Sequence, residues 1–598
     1  MRAMLHNPRS EAELREFDAD VIVVGTGPMG ATTALALATY GITVLAVGRA
    51  NWLADSPRAH VTNLRTMEVL RSLGLEHEVL RQATPWELMG DTTFTTSLEG
   101  PEIARISSYG LGDDRFGEFR AASPCQMADL PQPLLEPILV NAAARRGAVF
   151  TFNTLYHSSV QDDEGVTVVL ENRLTGQRYE RRARYLVGAD GARSQVAEDA
   201  GIPLEGVLRR AGTVYAQFSG DLSRYMTYRH SVLTWIVNEA AAVGEIGLGL
   251  LRAIRPWDRW IAGWGFDIDA GEPDLSVQAA TARIKAYVGD PDFEPEVTAV
   301  NPWYVNEAWA SSYSNGRIFC GGDAVHRHPP SNGLGSNTCV QDAFNLAWKL
   351  AYVLRGWADA RLLSSYSEER VPVGKHVVTR ANQSRREYAP LQAALAATAP
   401  GGPARYQKLS APTDEGVRAR ADLSAVLQLK ENEYNALGIE VNQRYRSSAI
   451  ILGDEPAEVW ARDPEIYAQH TTRPGAKLPH AWLVDASGRR ISTLDLIGDG
   501  VFTLLTGLSG AVWTEAVEAL NIPYLRAVVV GAPAAQDLYF SWMRMREVEE
   551  DGAVLVRPDG YVAWRSASAR GIPLAELTSQ LTAVLSTLLE RPLPTDGR

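Results

Sequence analysis

"DVIVVGTGPMGATTALALATYGITVLAV", residues 20–47, decides the fold. Its first six residues, DVIVVG, are short, apolar and β-branched, as in a buried strand. ATTALALATYG follows as a helix that ends at Gly41, and ITVLAV (42–47) is a second strand. Together they form a β-α-β unit of about 30 residues. Between the first strand and the helix stands Gly25-Thr26-Gly27-Pro28-Met29-Gly30. Gly25 allows the tight turn, Gly27 lets a pyrophosphate approach the backbone, and Gly30 lets helix pack on strand. The free N–H groups and dipole of the helix N-terminus favour the phosphates. Alone, G-x-G-x-x-G says little. Between a strand and a helix it reads as a dinucleotide-binding turn.

One element of that pattern is missing. The second strand ends Val47-Gly48-Arg49, where an acid usually bonds the ribose. Either Arg49 meets ribose or phosphate, or it is a solvated surface residue and the ribose is held elsewhere.

Two later turns carry related chemistry. Asp190, in GADGARS (188–194), follows a strand and either faces a ligand or makes an ordinary Asp-Gly turn. In GGDAVHRHPPSNGLGSNTCVQDAFNLAWKL (321–350), Asp323 ends a strand where it can accept hydrogen bonds from a sugar or polyol. Pro329 and Pro330 then block helix and leave bare carbonyls. Gly333-Leu334-Gly335 exposes N–H groups at the head of a helix with Asn337 in its first turn, a second site for an anion or a polarised ring. His326 and His328 read as packing or turn-capping residues, without metal-ligand spacing.

Composition sets bounds. The chain has 598 residues and a formal net charge of −13, which speaks against nucleic-acid binding. Three distant cysteines, Cys125, Cys320 and Cys339, make neither a disulfide framework nor a metal site, and fit a reducing cytoplasm. The polar N-terminus (1–20) has no signal-peptide core, and no run approaches the ~18 apolar residues of a membrane span. Residues 391–425, rich in Ala, Pro and Gly, read as a linker or surface helix. From about 470 strands and helices alternate again, the pattern of a small separate α/β domain.

The set GxGPxG, DG and GD, in that order, resembles the flavin-dependent aromatic hydroxylases of the p-hydroxybenzoate hydroxylase fold. NWLADSPRAHVTNLRTMEVLRSLG (51–74), RPWDRWIAGWG (255–265) and residues 322–351 are similar to the 2,4-dichlorophenol 6-monooxygenase and 2-hydroxybiphenyl 3-monooxygenase branch. RPGAKLPHAWL (473–483) and VLVRPDGYVAWR (554–565) resemble the thioredoxin-like tail of phenol hydroxylases. The resemblance implies an α/β chain: a Rossmann-like, glutathione-reductase-type FAD domain interleaved with a β-sheet substrate domain over 1–395, the substrate sheet lying mainly at 205–310. A helical linker region (396–470) and a thioredoxin-like domain (471–598) would follow. That last domain has no cysteine, so it can do no dithiol chemistry and reads as an oligomerisation or lid-stabilising unit.

The resemblance also assigns roles. Gly25, Gly27, Pro28, Met29 and Gly30 would hold the FAD pyrophosphate, with Arg49, Arg58 and Gln132 beside the cofactor. Asp190 would serve FAD and NAD(P)H, and Asp323 the ribityl–pyrophosphate region. Pro330, Gly333, Leu334, Gly335 and Asn337 would frame the isoalloxazine. NAD(P)H reduces FAD, the reduced flavin adds O2 to give a C4a-hydroperoxide, and a phenol-like or hydroxylated heteroaromatic ring attacks it. His60, with an ordinary pKa near 6.5, would take the ring hydroxyl's proton, or else bond only the flavin loop. Asp221 and Arg255 are further candidates, for substrate activation and for flavin or substrate gating, or else are surface or fold-supporting charges. No metal is expected. A homo-oligomer acting on a small aromatic substrate is, the Arg- and Ala-rich composition pointing to natural-product tailoring. A phenol or chlorophenol hydroxylase, an FAD dehydrogenase and a halogenase are the alternatives. The absence of Lys before Lys285 speaks against a halogenase of this fold, which uses a catalytic Lys.

Overall fold

The computed structural model describes residues 16–395 and 402–593; all elements and contacts below belong to these. Residues 1–15, part of the polar N-terminus, and 396–401, within the Ala/Pro/Gly-rich stretch, lie outside them.

Ala19–Val24, helix α1 (Pro28–Thr39) and Val44–Val47 form the expected unit. Val21, Ile22 and Val23 expose no surface, and burying each such side chain is worth ~1.5–3 kcal/mol. The strand is central: Arg178–Gly188 and Ile318–Cys320 lie on one side, Val44–Val47 and Val149–Thr151 on the other, all parallel. Antiparallel Val166–Asn172 and Thr154–Gln161 extend this eight-stranded sheet. Helices α2 (Leu64–Ser72), α3 (Gln132–Arg145), α4 (Gly335–Leu354) and α5 (Ser364–Arg386) belong to the same half.

A second eight-stranded sheet holds the aromatic-rich middle of the chain. Its order is His326–Arg327, Glu296–Ala310, Leu204–Ser219, Arg259–Phe266, Gly249–Arg255, Leu233–Ile236, Thr92–Thr95, Glu102–Ile106. Strands from residues 92 to 327 therefore alternate between two sheets, so the two units interleave in sequence.

Of the two readings of the Ala/Pro/Gly-rich stretch, the described part takes the surface helix: Gly402–Ser410 and the start of α6 (Asp414–Tyr434) are helical, and most of α6 is exposed, with one narrow face packed. Ala419, Leu423 and Tyr434 of α6 are buried with Phe94, Ile106 and Trp235 of the second sheet.

The C-terminal sheet runs Leu525–Val529, Phe502–Thr506, Ala553–Val556, Val562–Ser566, with the first two parallel and the rest antiparallel. With helices Ala511–Leu520 and Leu574–Leu588, this is the thioredoxin-like order.

Candidate active site

Three turns meet at the C-terminal ends of three adjacent parallel strands, the edge where α/β sheets bind ligands. Ala189 N donates to Val24 O (2.7 Å) and Gly321 N to Gly188 O (3.1 Å). The glycines of the first turn differ in duty. Gly25 has φ +111°, and a Cβ there would lie 2.1 Å from Ala189 O. A Cβ on Gly30 would lie 1.9 Å from Gly25 O. A Cβ on Gly27 would meet only Glu136 Oε1, at 3.6 Å. Gly27 is thus the open position, at the head of a helix without a side-chain cap. Pro28 and Met29 form that helix's first turn, and the Met29 thioether fills the space a Cβ on Gly321 would need.

The other expected cofactor residues sort by what holds them. Arg49, Arg58 and Asp323 have exposed side chains. Gln132 N donates to Arg58 O (2.9 Å), and the Gln132 amide donates to Glu136 (2.5 Å), whose other oxygen accepts from Ala54 N (2.8 Å). Glu136, missed from sequence, braces this loop. Asp190 caps its own turn, accepting from Ser194 Oγ (2.5 Å) and from the N–H groups of Gln195 (2.8 Å) and Val196 (3.2 Å).

The third turn is braced from behind. Asp342 of α4 accepts from Gly322 N (3.0 Å), His326 Nε2 (2.9 Å) and Arg370 Nε (2.7 Å). Gly322, at φ +63°, leaves the neighbouring Asp323 carboxylate exposed. Pro330 is exposed, Gly333 adopts φ +64°, and a Cβ on Gly335 would meet only the His328 ring, at 3.7 Å. Leu334 points the other way, into a cluster with Val377 and Ile439. The Asn337 amide is fully engaged: it donates to Val61 O (2.8 Å) and Gly333 O (2.6 Å) and accepts from Asn63 N (3.0 Å). It ties the heads of α2 and α4 together. The head of α4, like that of α1, has no side-chain cap.

His60 lies in the loop before α2. Leu130 N donates to His60 O (2.7 Å), and Val61 pairs with Asp129. His60 Nε2 lies 3.0 Å from Pro57 O. A carbonyl only accepts, so Nε2 carries the proton and Nδ1 keeps its lone pair. That Nδ1 is buried and has no partner. Burial first, then the Arg252 charge, hold the His60 pKa well below 6.5, against a smaller opposing effect of the Pro57 carbonyl. This corrects the ordinary value expected from sequence: His60 is neutral and a weaker base than free imidazole.

Arg252, on Gly249–Arg255 of the second sheet, donates to Asp129, with NH1 at 3.2 Å from Oδ2 and NH2 closer to Oδ1. Both residues are buried. Tyr215 and Trp303 are in ring contact at 5.6 Å. Asp221 and Arg255 are not part of this wall. Asp221 is exposed and accepts from Ser223 N (2.9 Å) in a turn bonded to Trp257 and Asp258. Arg255 is exposed at the end of its strand, beyond a register shift after Ala253. The buried arginine three residues earlier is the one beside His60. Only depth separates the two, and RPWDRW does not show depth.

The residues present suit FAD. An open glycine stands at one uncapped helix head, an exposed carboxylate at the adjoining strand end, and a second uncapped head closes the row. A nucleotide-binding α/β sheet joined to a second, mostly antiparallel sheet suits a two-part flavoenzyme, and comparison with known proteins agrees. Residues 18–381 match the family model "FAD binding domain", and 471–592 match "Aromatic-ring hydroxylase, C-terminal". The chain is 44% identical over 578 residues to a 2,4-dichlorophenol 6-monooxygenase of Delftia acidovorans, covering 95% of this chain and 98% of the relative. Among solved structures it is similar to the flavin-dependent monooxygenase PieE in complex with FAD and substrate, at TM-score 0.90, 40% identity and 95% and 99% coverage. It is also similar to an aklavinone-11 hydroxylase with FAD and aklavinone, at TM-score 0.79, 33% identity and 96% and 100% coverage. The chain belongs to the FAD-dependent aromatic-ring hydroxylases, monooxygenases that draw on NAD(P)H.

Proposed function

We propose that this hydroxylase acts on a phenol-like or hydroxylated heteroaromatic ring whose ring hydroxyl lies against His60 Nδ1. The observation that carries this reading is the buried, unclaimed lone pair of His60 in a wall that otherwise pairs its charges. A neutral imidazole accepts the phenolic hydrogen bond and draws electron density into the ring. The phenolate charge would in turn favour protonated His60, offsetting the burial and the Arg252 field that disfavour it. Tyr215 and Trp303 would bound the ring's plane. Gly25 to Gly30, Arg49, Arg58, Gln132 and Asp323 would hold the nucleotide end of FAD, and Pro330, Gly333 and Gly335 the ring end. Bound FAD, once reduced, supplies the activation of O2. Half-buried Tyr215 and Trp303 would limit the access of water to that chemistry.

Similarity to a dichlorophenol enzyme favours a single-ring phenol, and similarity to an aklavinone hydroxylase favours a polycyclic tailoring substrate. A screen of monocyclic phenols, hydroxypyridines and polycyclic phenols separates the two. The expected result is substrate-stimulated NAD(P)H oxidation and a product heavier by one oxygen. Turnover of rings lacking a hydroxyl, or oxidation of NAD(P)H without product, would overturn the proposal. Three free buried cysteines support a cytoplasmic setting, and exposed Leu538, Tyr539, Phe540 and Met543 support a homo-oligomer. Light scattering on the holoenzyme tests the latter.

A further inference from the structure

The C-terminal module has no cysteine, yet one of its turns runs deep into the flavin-binding half. Arg557-Pro558-Asp559-Gly560-Tyr561 joins strands Ala553–Val556 and Val562–Ser566, and Arg557, Asp559 and Tyr561 are at most 2% exposed. Arg557 donates to Glu369 of α5 through NH1 (2.5 Å) and NH2 (2.9 Å), and to Asp559 through Nε (3.0 Å). Glu369 also accepts from Asn345 (2.6 Å) and Lys349 (2.8 Å) of α4. The main-chain carbonyl of Asp559 accepts from Arg65 (2.7 Å), the second residue of α2. One turn further along α2, Glu68 pairs with Lys477 of the same module (3.0 Å).

The central group is charge-balanced: Arg557 and Lys349 against Glu369 and Asp559. It sits where water cannot compete, so its geometry is stiff. It touches two helices whose heads adjoin the ring site. α2 begins four residues after His60, α4 begins at Gly335, and the Asn337 amide links the two heads. The amide fixes the heads together, and the Arg557 turn ties the first turn of α2, through Arg65, to the middle of α4, where Asn345 donates to Asp559 (3.3 Å).

We propose that the Arg557–Tyr561 turn is a positioning element of the hydroxylation, with Arg557 its positioning residue, setting the spacing of α2 and α4 and so the placement of the His60 loop against the flavin face. This role for Arg557 stands whether or not His60 receives the phenolic proton. A displacement of about 1 Å at a reacting centre can cost ~10²-fold in rate. Lysine keeps the charge but cannot reproduce the planar fork that spans two carboxylates.

The test uses holoenzyme carrying Arg557→Lys and, separately, Lys477→Met, which leaves Glu68 paired with Arg65. Hydrogen–deuterium exchange is followed in peptides spanning residues 60–66, with 20–24 as the control, together with product formed per NAD(P)H oxidised. Both variants should speed exchange at 60–66 roughly tenfold and leave 20–24 unchanged. Both should lose product yield, the difference appearing as hydrogen peroxide. If Arg557→Lys lowers only the melting temperature, with wild-type exchange at 60–66 and wild-type yield, the turn merely holds the fold. If Arg557→Lys does not fold, Lys477→Met decides by the same two readouts, wild-type values overturning the proposal.

Discussion

The phosphate turn and the wall around His60 are both concave, but they are made in opposite ways. The first is six consecutive residues whose function lies in missing side chains. Gly25 and Gly30 are glycine because backbone atoms lie 2.1 and 1.9 Å from any Cβ, and Gly27 because its neighbourhood is left open. The second is made of present side chains brought from residues 60, 129 and 252. A contiguous turn carries its reason in the sequence. An assembled wall does not, and the electrostatics of its members belong to the assembly.

The sharpest test of the contrast lies within the turn itself. Gly27→Val should give a folded protein without flavin, because the added side chain fills only the space left for a ligand. Gly30→Val should fail to fold, because its Cβ meets backbone that cannot move. Flavin absorbance per chain and circular dichroism read the two, and a flavin-replete Gly30→Val would break the distinction.

On the wall side, His60→Ala should keep FAD but slow hydroxylation ~10²–10⁴-fold in single turnover at neutral pH. The defect should shrink at high pH, where the phenol ionises unaided. Because the His60 pKa is depressed, its protonation should inhibit the wild-type enzyme only well below pH 6.5. An acid limb centred at 6.5 that disappears in His60→Ala would show an unperturbed histidine instead. Next in size, Arg252→Met strands the buried Asp129 carboxylate and should cost ~3–5 kcal/mol of stability in denaturant unfolding. Arg255→Met, at the exposed strand end, should change stability by no more than ~0.5 kcal/mol. Equal effects would return Arg255 to the site.

A change confined to cofactor affinity is expected at the turn's neighbour. Asp323→Ala should weaken FAD binding to the apoprotein about ten- to a hundredfold, or ~1.5–3 kcal/mol, with the fold intact. Asp190→Ala should instead show first as lost stability, since its carboxylate is bound within its own turn. Titration of apoprotein with FAD distinguishes the two aspartates.

The β-α-β unit, the helix after Gly335 and the three turns were legible in the residues alone. Each rests on local rules: a buried β-branched run, glycines where a Cβ has no room, and helix heads without caps. Sequence alone marked His60 and Asp323 as chemically suited, but gave His60 an ordinary pKa and left Asp221 and Arg255 open between site and surface roles. That Arg252 is the buried arginine, that Asn337 spends its amide on bracing, and that one face of α6 packs on the second sheet emerges from tertiary contacts. Only the tertiary structure placed Arg557 and Asp559 among α2, α4 and α5. Burial and long-range pairing are properties of segments brought together by the whole chain, and a charge's pKa, partners and use follow from them rather than from its neighbours in sequence.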